Sequence, residues 1–274
     1  MTNNPLQQYF RRPSMYIALP SGGNYPAAVL EKTETNTYPV YPMTSNDEIT
    51  TQTPDALYTG EAVAEIIRSC VPSIKNPWAI TSVDLDSILV AIRIATNGTE
   101  MDMDSTCPKC DELNKFGLNL EQLLDGFKAG DYDKLLTLGD LTLKFRPLTY
   151  KESNEGNMTQ FELQKHIQML RRSTDDNEQV QLNSTIIKKI NEITQNIICN
   201  SIEYILTPDK VKVSDKVFIK EYLVNCDKNA YAKIRDTNIK LRESTETKPL
   251  KFKCTACEHE YDQPFTLNVS DFFG

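Results

Sequence analysis

The sequence predicts an α+β fold, and three observations predict it. Two Cys-x-x-Cys pairs, Cys107/Cys110 and Cys254/Cys257, are each framed by short stretches of alternating polarity. Between the pairs the hydrophobic period changes from two to about 3.6 and back, so strands give way to helices and then return. Ahead of both, the first 50 residues are rich in Pro, Gly, Tyr and Thr and hold little sustained periodicity. The 274-residue chain therefore divides into an extended N-terminal arm (1–50), a region of helices plus a first CxxC hairpin (51–148), an inserted helical module (149–247) and a second CxxC hairpin (248–274).

The elements follow in order. In the arm, "LPSGGNYP" (19–26) must turn, because two glycines are followed by a proline. "AVLEK" and "TYPVYP" read as short β pieces, enough for one hairpin. A first helix is predicted over 54–70, with Pro54 and Asp55 at its start and Val63, Ile66, Ile67 and Cys70 on one face. A second is predicted from Asp84 to Thr96, with Asp84 capping it, Leu85, Ile88, Leu89 and Ile92 as its stripe and Gly98 past its end. "EMDMD", "FGLNL" and "LTLKF" alternate as half-buried strands do.

From Thr149 the period is helical again. Thr149 and Glu152 have the spacing of a capping box, and the helix runs to about Arg172. "STDDNEQVQLN" reads as a polar linker. "STIIKKINEITQNIICNSIEYIL" reads as one long helix, its stripe Ile186, Ile190, Ile193, Ile197 and Ile205, ended by Pro208. Two shorter helices are expected near 215–226 and 229–242.

The chemistry lies in the cysteines. "TCPKC" and "KCTAC" each lie between β-like pieces, and "FGLNL" after the first recurs as "FTLNV" after the second. A CxxC turn aims two thiolates at one cation, and a structural zinc takes four in a closed tetrahedron. The prediction is one structural zinc per chain, bound by Cys107, Cys110, Cys254 and Cys257 in a zinc-ribbon-like β region. The competing reading is four cysteines packed as small buried residues. A redox dithiol is disfavoured, since neither pair opens a helix. His259, two residues beyond Cys257, is a weaker substitute ligand. Four thiolates leave no open position, which suits a staple rather than a catalyst.

Composition narrows the function. The net charge of −8 argues against non-specific nucleic-acid binding, which draws on Lys and Arg contacts to phosphate. The lysines of "KVKVSDKVFIK" and "KPLKFK" are interleaved with acids or apolar residues. No apolar run approaches the ~20 residues that span a bilayer, and no signal peptide is evident. Seven cysteines, an odd number, fit an intracellular protein with reduced thiols. His166 and His259 have no evident triad partners, and "PSGGN" lacks the lysine of a phosphate loop. The acid pairs Asp84/Asp86 and Asp102/Asp104 are explained as well by capping and a solvated strand face as by a cation. Cys70, Cys199 and Cys226 read as core residues, and Trp78 as a buried aromatic. The residues alone describe a non-enzymatic assembly or adaptor protein.

Several motifs, in this order, carry a resemblance. "LPSGGNYP" resembles an LPS-x-G-x-x-YP opening. "VYPMTSNDEITTQTPDALYTGEAVAEIIRSCV" resembles a PMT-x-x-DE stretch followed by a helix. "DLDSILVAIRIATNG" resembles a D-x-x-x-LL-x-A-x-R-I-A-x-x-G helix, and "TCPKC" then falls where a first cysteine pair is expected. Together they resemble baseplate proteins of T-even-type contractile-tailed bacteriophages, over roughly residues 15–125 and, less specifically, at the second CxxC. "SGG" departs from that pattern, lacking a basic or bulky residue before the glycine. The resemblance implies a structural or assembly component of the baseplate central hub. Its partners would be other hub or tail proteins, with no membrane and no small-molecule substrate. It would act in the host cytoplasm during assembly and in the virion tail. The alternative is a zinc-ribbon protein binding nucleic acid, such as a transcription factor.

Overall fold

Residues 1–129 and 246–274 form one unit and residues 130–245 a second. The structure, a computed structural model, describes residues 4–52, 58–172 and 176–265. Among the described residues, three separate two-stranded antiparallel sheets, one four-stranded antiparallel sheet and the helices between them make this a mixed α/β protein.

In the first unit, β1 (Met15–Ile17) pairs antiparallel with β2 (Tyr38–Val40). The segment expected as an extended arm is largely integrated into this unit. Ile17, Leu19, Leu30, Tyr38 and Val40 are all buried. The reason is burial: β1 and β2 pack against α3 (Ser82–Asn97), and the chain just after β2 is tied to the end of α2 (Glu61–Cys70), the Tyr41 amide donating to the Cys70 carbonyl at 2.8 Å. Val63, Ile66, Ile67 and Cys70 on α2, and Leu85, Ile88, Leu89 and Ile92 on α3, are buried as their spacing requires. Ahead of α2, a short α1 (Ser45–Thr51) starts on a capping box, Thr44 with Asp47. Pro54 and Asp55, expected to open the next helix, lie outside the described residues.

One buried carboxylate corrects the sequence reading. Asp84 does not cap α3, whose N-cap is Thr81 with no side-chain bond. Its carboxylate instead accepts from the Ser21 amide at 2.8 Å, the Ser21 hydroxyl and the Tyr25 phenol. "LPSGGNYP" is thus a loop folded around Asp84. Gly23 is required there: its φ is 67°, and a Cβ would meet the Tyr38 hydroxyl at 2.9 Å.

After α3 come β3 (Glu100–Thr106) and β4 (Leu113–Asn119), an antiparallel hairpin with Met103 opposite Phe116. Asn119 caps α4 (Leu120–Gly126) by accepting from the Gln122 amide. The chain returns to this unit for β9 (Leu250–Lys253) and β10 (Glu260–Gln263), again an antiparallel hairpin. β10 ends before "FTLNV", and residues 266–269 of that stretch lie outside the described residues.

The second unit is not wholly helical and begins earlier than expected. Its sheet has the order β5 (Leu135–Leu138), β6 (Leu141–Phe145), β7 (Ile202–Leu206), β8 (Lys212–Val213). The long helices α5 (Tyr150–Arg172) and α6 (Asp176–Ser201) pair as a hairpin, followed by α7 (Lys216–Asn225) and α8 (Lys228–Thr245). Two expectations fail here. "IEYIL" is strand β7 rather than the end of the long helix, because Ile202 and Ile205 gain a β6 partner and a buried face. The polar linker is helical from Asp176 onward, since its Glu, Gln and Leu residues are adequate helix formers. Leu143, Phe145, Ile202, Ile219 and Ile234 form the centre of this core. The entry and exit of the unit run close together. A Cβ on Gly130, whose φ is 73°, would lie 2.5 Å from the Thr245 methyl.

Candidate metal centre

Each CxxC occupies the bend of a hairpin, and the two bends share one backbone conformation. The Cys107 amide donates to the Glu112 carbonyl at 2.9 Å, and the Cys254 amide donates to the His259 carbonyl at 2.9 Å. The Asp111 amide returns to the Cys107 carbonyl at 3.0 Å, and the Glu258 amide to the Cys254 carbonyl at 3.1 Å. Asp111 and Glu258, one past each second cysteine, both have φ of 57°. This left-handed conformation is disfavoured for residues other than glycine. The sequence similarity of the pairs is therefore also a structural one.

The four sulfurs converge. All lie within 4.8 Å of one another. The contacts cross between hairpins: Cys107 Sγ is 3.7 Å from Cys257 Sγ, and Cys110 Sγ is 3.6 Å from Cys254 Sγ. Four thiolates each ~2.3 Å from a tetrahedral cation such as zinc stand about 3.8 Å apart. A disulfide would need about 2.05 Å. The donor set and its spacing therefore fit a single metal ion. Cys107 and Cys254 are buried, Cys257 is half-buried and Cys110 is exposed at the rim.

Neighbouring groups suit thiolate at Cys254. The Cys257 amide draws that thiol down to about 6; burial opposes the shift, and the Ala256 amide and the Asn114 side chain assist it. Asn114 is the residue sequence reasoning missed. It is buried, its amide nitrogen lies 3.6 Å from Cys254 Sγ, and its carbonyl oxygen accepts from the Thr255 amide at 2.8 Å and the Thr255 hydroxyl at 2.7 Å. The available signal was its place on β4 beside Phe116 and Leu118, on the inward face of a strand, where asparagine is uncommon. Further from the sulfurs, Phe116 stacks on Phe252 with ring centroids 4.2 Å apart. The Ser105 hydroxyl meets both Tyr261, at 2.8 Å, and Gln263.

The other candidates lie elsewhere. His259 is not in the cluster; its ring stacks near Tyr261, 6.3 Å between centroids. Cys70 and Cys199 are buried in helices, and burial pushes the Cys70 thiol up to about 12. Cys226 is half-buried just past α7. Asp102 and Asp104 lie on the exposed face of β3. The His166 side chain lies outside the described residues. Around the second hairpin, Lys251 and Lys253 share a surface with Glu260 and Asp262, and Lys253 pairs with Glu258 at 3.6 Å. No basic stripe forms there, so the nucleic-acid alternative gains nothing. Among the described residues no helix is long and apolar enough to cross a membrane.

Fold and site together define a class: a mixed α/β protein in which two sequence-distant hairpins share a four-cysteine cage able to hold a metal ion. Comparison with protein families then gives the particular group. The chain belongs to the family described as T4 bacteriophage base plate protein, whose model matches residues 18–274. Searches of curated proteins and of solved structures returned no match. The family supports a structural component of the phage baseplate, in the virion tail, among other baseplate proteins, and it points away from catalysis.

Proposed function

We propose that this chain is a non-enzymatic structural or assembly component of the central hub of a contractile-tail baseplate, stapled by one structural zinc at Cys107, Cys110, Cys254 and Cys257. The family match over residues 18–274 carries the baseplate part of this reading. The hub assignment rests on the order of the motifs around "LPSGGNYP", "DLDSILVAIRIATNG" and "TCPKC". The zinc assignment rests on the four convergent sulfurs, all supplied by the protein, which leave no open coordination position for chemistry.

Physically, the staple closes a zinc-ribbon-like body whose two halves are separated by the 130–245 unit. Joining residues so far apart costs loop entropy that grows only slowly with length. Structural zinc binding, on the order of 10 kcal/mol, offsets it. The result is a rigid docking body with a second unit carried as an insertion, assembled with other hub chains in the host cytoplasm.

Affinity-tagged full-length chain, recovered from infected cells, should bring hub or tail proteins with it. Mass spectrometry of purified virions then separates a permanent subunit, present in every particle, from an assembly factor that is absent. Recovery of no baseplate or tail chain would overturn the proposal.

A further inference from the structure

The N-terminal turn of the first unit leaves its large apolar side chains in solvent. Pro5–Tyr9 forms a 3-10 helix in which no residue is buried, with Asn4 accepting from the Leu6 amide and proline at its start. Leu6, Tyr9 and Phe10 are 61%, 76% and 59% exposed. Leu6 and Tyr9 stand at i and i+3, which a 3-10 helix stacks on one side, and Phe10 follows in extended backbone. The polar residues between them are Gln7 and Gln8.

The turn is short, yet its root is fixed. The Arg11 guanidinium, one residue on, donates to the Pro42 carbonyl at 2.5 Å and to the Ser69 carbonyl and hydroxyl at 2.9 and 2.7 Å, and it lies 3.4 Å from Asp47. These contacts tie the root to the segment before α1 and to α2, so the exposed apolar side chains stand on a fixed base. A pre-positioned motif loses less freedom on binding than a free tail would.

Charge indicates what covers it. The first 30 residues contain no Asp or Glu, whereas the whole chain is −8. Arg11 is paired internally. Arg12 is exposed and donates to the Gln8 carbonyl at 3.4 Å; among the described residues no carboxylate lies within ion-pair distance of it. Three exposed apolar side chains within five residues, followed by an uncompensated guanidinium, match a groove with an apolar floor and a carboxylate rim.

We propose that residues 4–12 dock into such a groove on another baseplate subunit, with Leu6, Tyr9 and Phe10 on the floor and Arg12 at the rim. This rests on the baseplate reading above and names the element that makes the contact. The test uses tagged full-length chain expressed in infected cells, with recovered baseplate subassemblies as the readout. The triple variant Leu6→Ser/Tyr9→Ser/Phe10→Ser changes only exposed residues, so its thermal midpoint should equal that of the wild type. Its retention should fall at least about 30-fold, the loss expected when a hot spot is removed. Arg12→Glu should weaken retention and remove its salt dependence, and Arg12→Lys should restore most of both.

A photo-crosslinking phenylalanine analogue at position 10 should join a baseplate subunit at an apolar peptide flanked by Asp or Glu. Crosslinks to a second copy of this chain alone, or to lipid or nucleic acid, overturn the proposal. So does equal retention of the triple variant. Wild-type chain that recovers no baseplate protein would instead sink the underlying baseplate reading, so the two failures are distinguishable.

Discussion

Asn114 and Thr255 are 141 residues apart in sequence, and the Asn114 side-chain oxygen accepts both the Thr255 amide and the Thr255 hydroxyl. The same side chain donates to the Glu112 carbonyl at 3.0 Å and reaches Cys254 Sγ. One amide therefore fixes the first knuckle, the second knuckle and a candidate ligand together. Asn114→Ala removes both bonds to Thr255, whose own donors are exposed and can turn to water, and should cost about 0.5–1.5 kcal/mol. Loss of such an outer partner typically lowers metal affinity about 10–100-fold. Competition with a chelator, alongside a thermal melt, measures both. A variant with wild-type melting and wild-type metal retention would show that the hairpins are held by other contacts.

The cage itself makes a sharper prediction. Purified protein should contain one zinc per chain, and Cys107→Ser or Cys254→Ser should release it. Because these two cysteines are buried, a lost ligand cannot be replaced by open solvent without cost. Chelation should lower the melting temperature of the wild type and have little further effect on either variant, since binding energy of this kind is folding energy. A metal-free wild type that melts at the same temperature as chelator-treated protein would leave the four thiols as packing residues.

Asp84 anchors the loop near the start of the chain. Its carboxylate serves Ser21 and Tyr25, while the Tyr25 hydroxyl also accepts from the Thr81 amide at 3.1 Å. Burial, reinforced by the nearby Asp84 charge, pushes the Tyr25 phenol well up, so it remains a donor. Tyr25→Phe should cost about 1.5–3 kcal/mol, as for a hydrogen bond to a charged group. Asp84→Ala should cost more, because it strands several donors at once. A double-mutant cycle by urea titration should give a coupling of about 1 kcal/mol or more. Additive losses would mean that the two side chains act independently.

What the sequence made legible was local. Val63, Ile66, Ile67 and Cys70 were readable as a buried face because helical spacing alone places them together. Thr149 and Glu152 were readable because a capping box spans only four residues, and the Thr149 amide does donate to Glu152 at 2.9 Å. The cysteine pairing was readable because two identical spacings of a rare residue imply each other. Asp84 was misread because its position in a first turn suits a cap, and its actual donors are about 60 residues earlier in the chain. Ile205 continues the isoleucine stripe read for α6, so only a partner strand, β6, distinguishes its conformation from helix. Asn114 could be noticed as an asparagine on an inward strand face, but its role could not be read, since it depends on a residue 141 positions away.

Lys216 closes the far end of α6. Its ammonium donates to the carbonyls of Cys199 at 3.1 Å, Asn200 at 3.3 Å and Ile202, groups that a helix end leaves without intrahelical partners. It also marks where helix changes to strand β7. Lys216→Met keeps the apolar stem and removes the charge, so it should destabilise the protein by about 1–2 kcal/mol. Lys216→Arg should not fully compensate, because a planar guanidinium cannot direct three donors as an ammonium does. Hydrogen exchange should show the loss concentrated in the last turn of α6. Unchanged protection there would remove the capping role.

Glu152 gives the second unit a defined acid sensitivity. Burial pushes its carboxyl up, but the Arg146 guanidinium and the Thr149 amide outweigh burial and hold it below its ordinary value of 4.5. Both Arg146 nitrogens engage it, at 3.0 and 2.5 Å. A carboxylate with a lowered folded-state pKa stabilises fully above the unfolded value and loses that contribution as pH falls through the folded value. Glu152→Gln should therefore cost about 1 kcal/mol at neutral pH, a modest figure because the pair is partly exposed. The gap between wild type and variant should be constant above the ordinary carboxyl value of 4.5 and close as pH falls through the lowered folded-state value. Urea midpoints across that range measure it. A gap that stays constant into acid would assign the loss to the cap geometry at Thr149 rather than to the charge on Glu152.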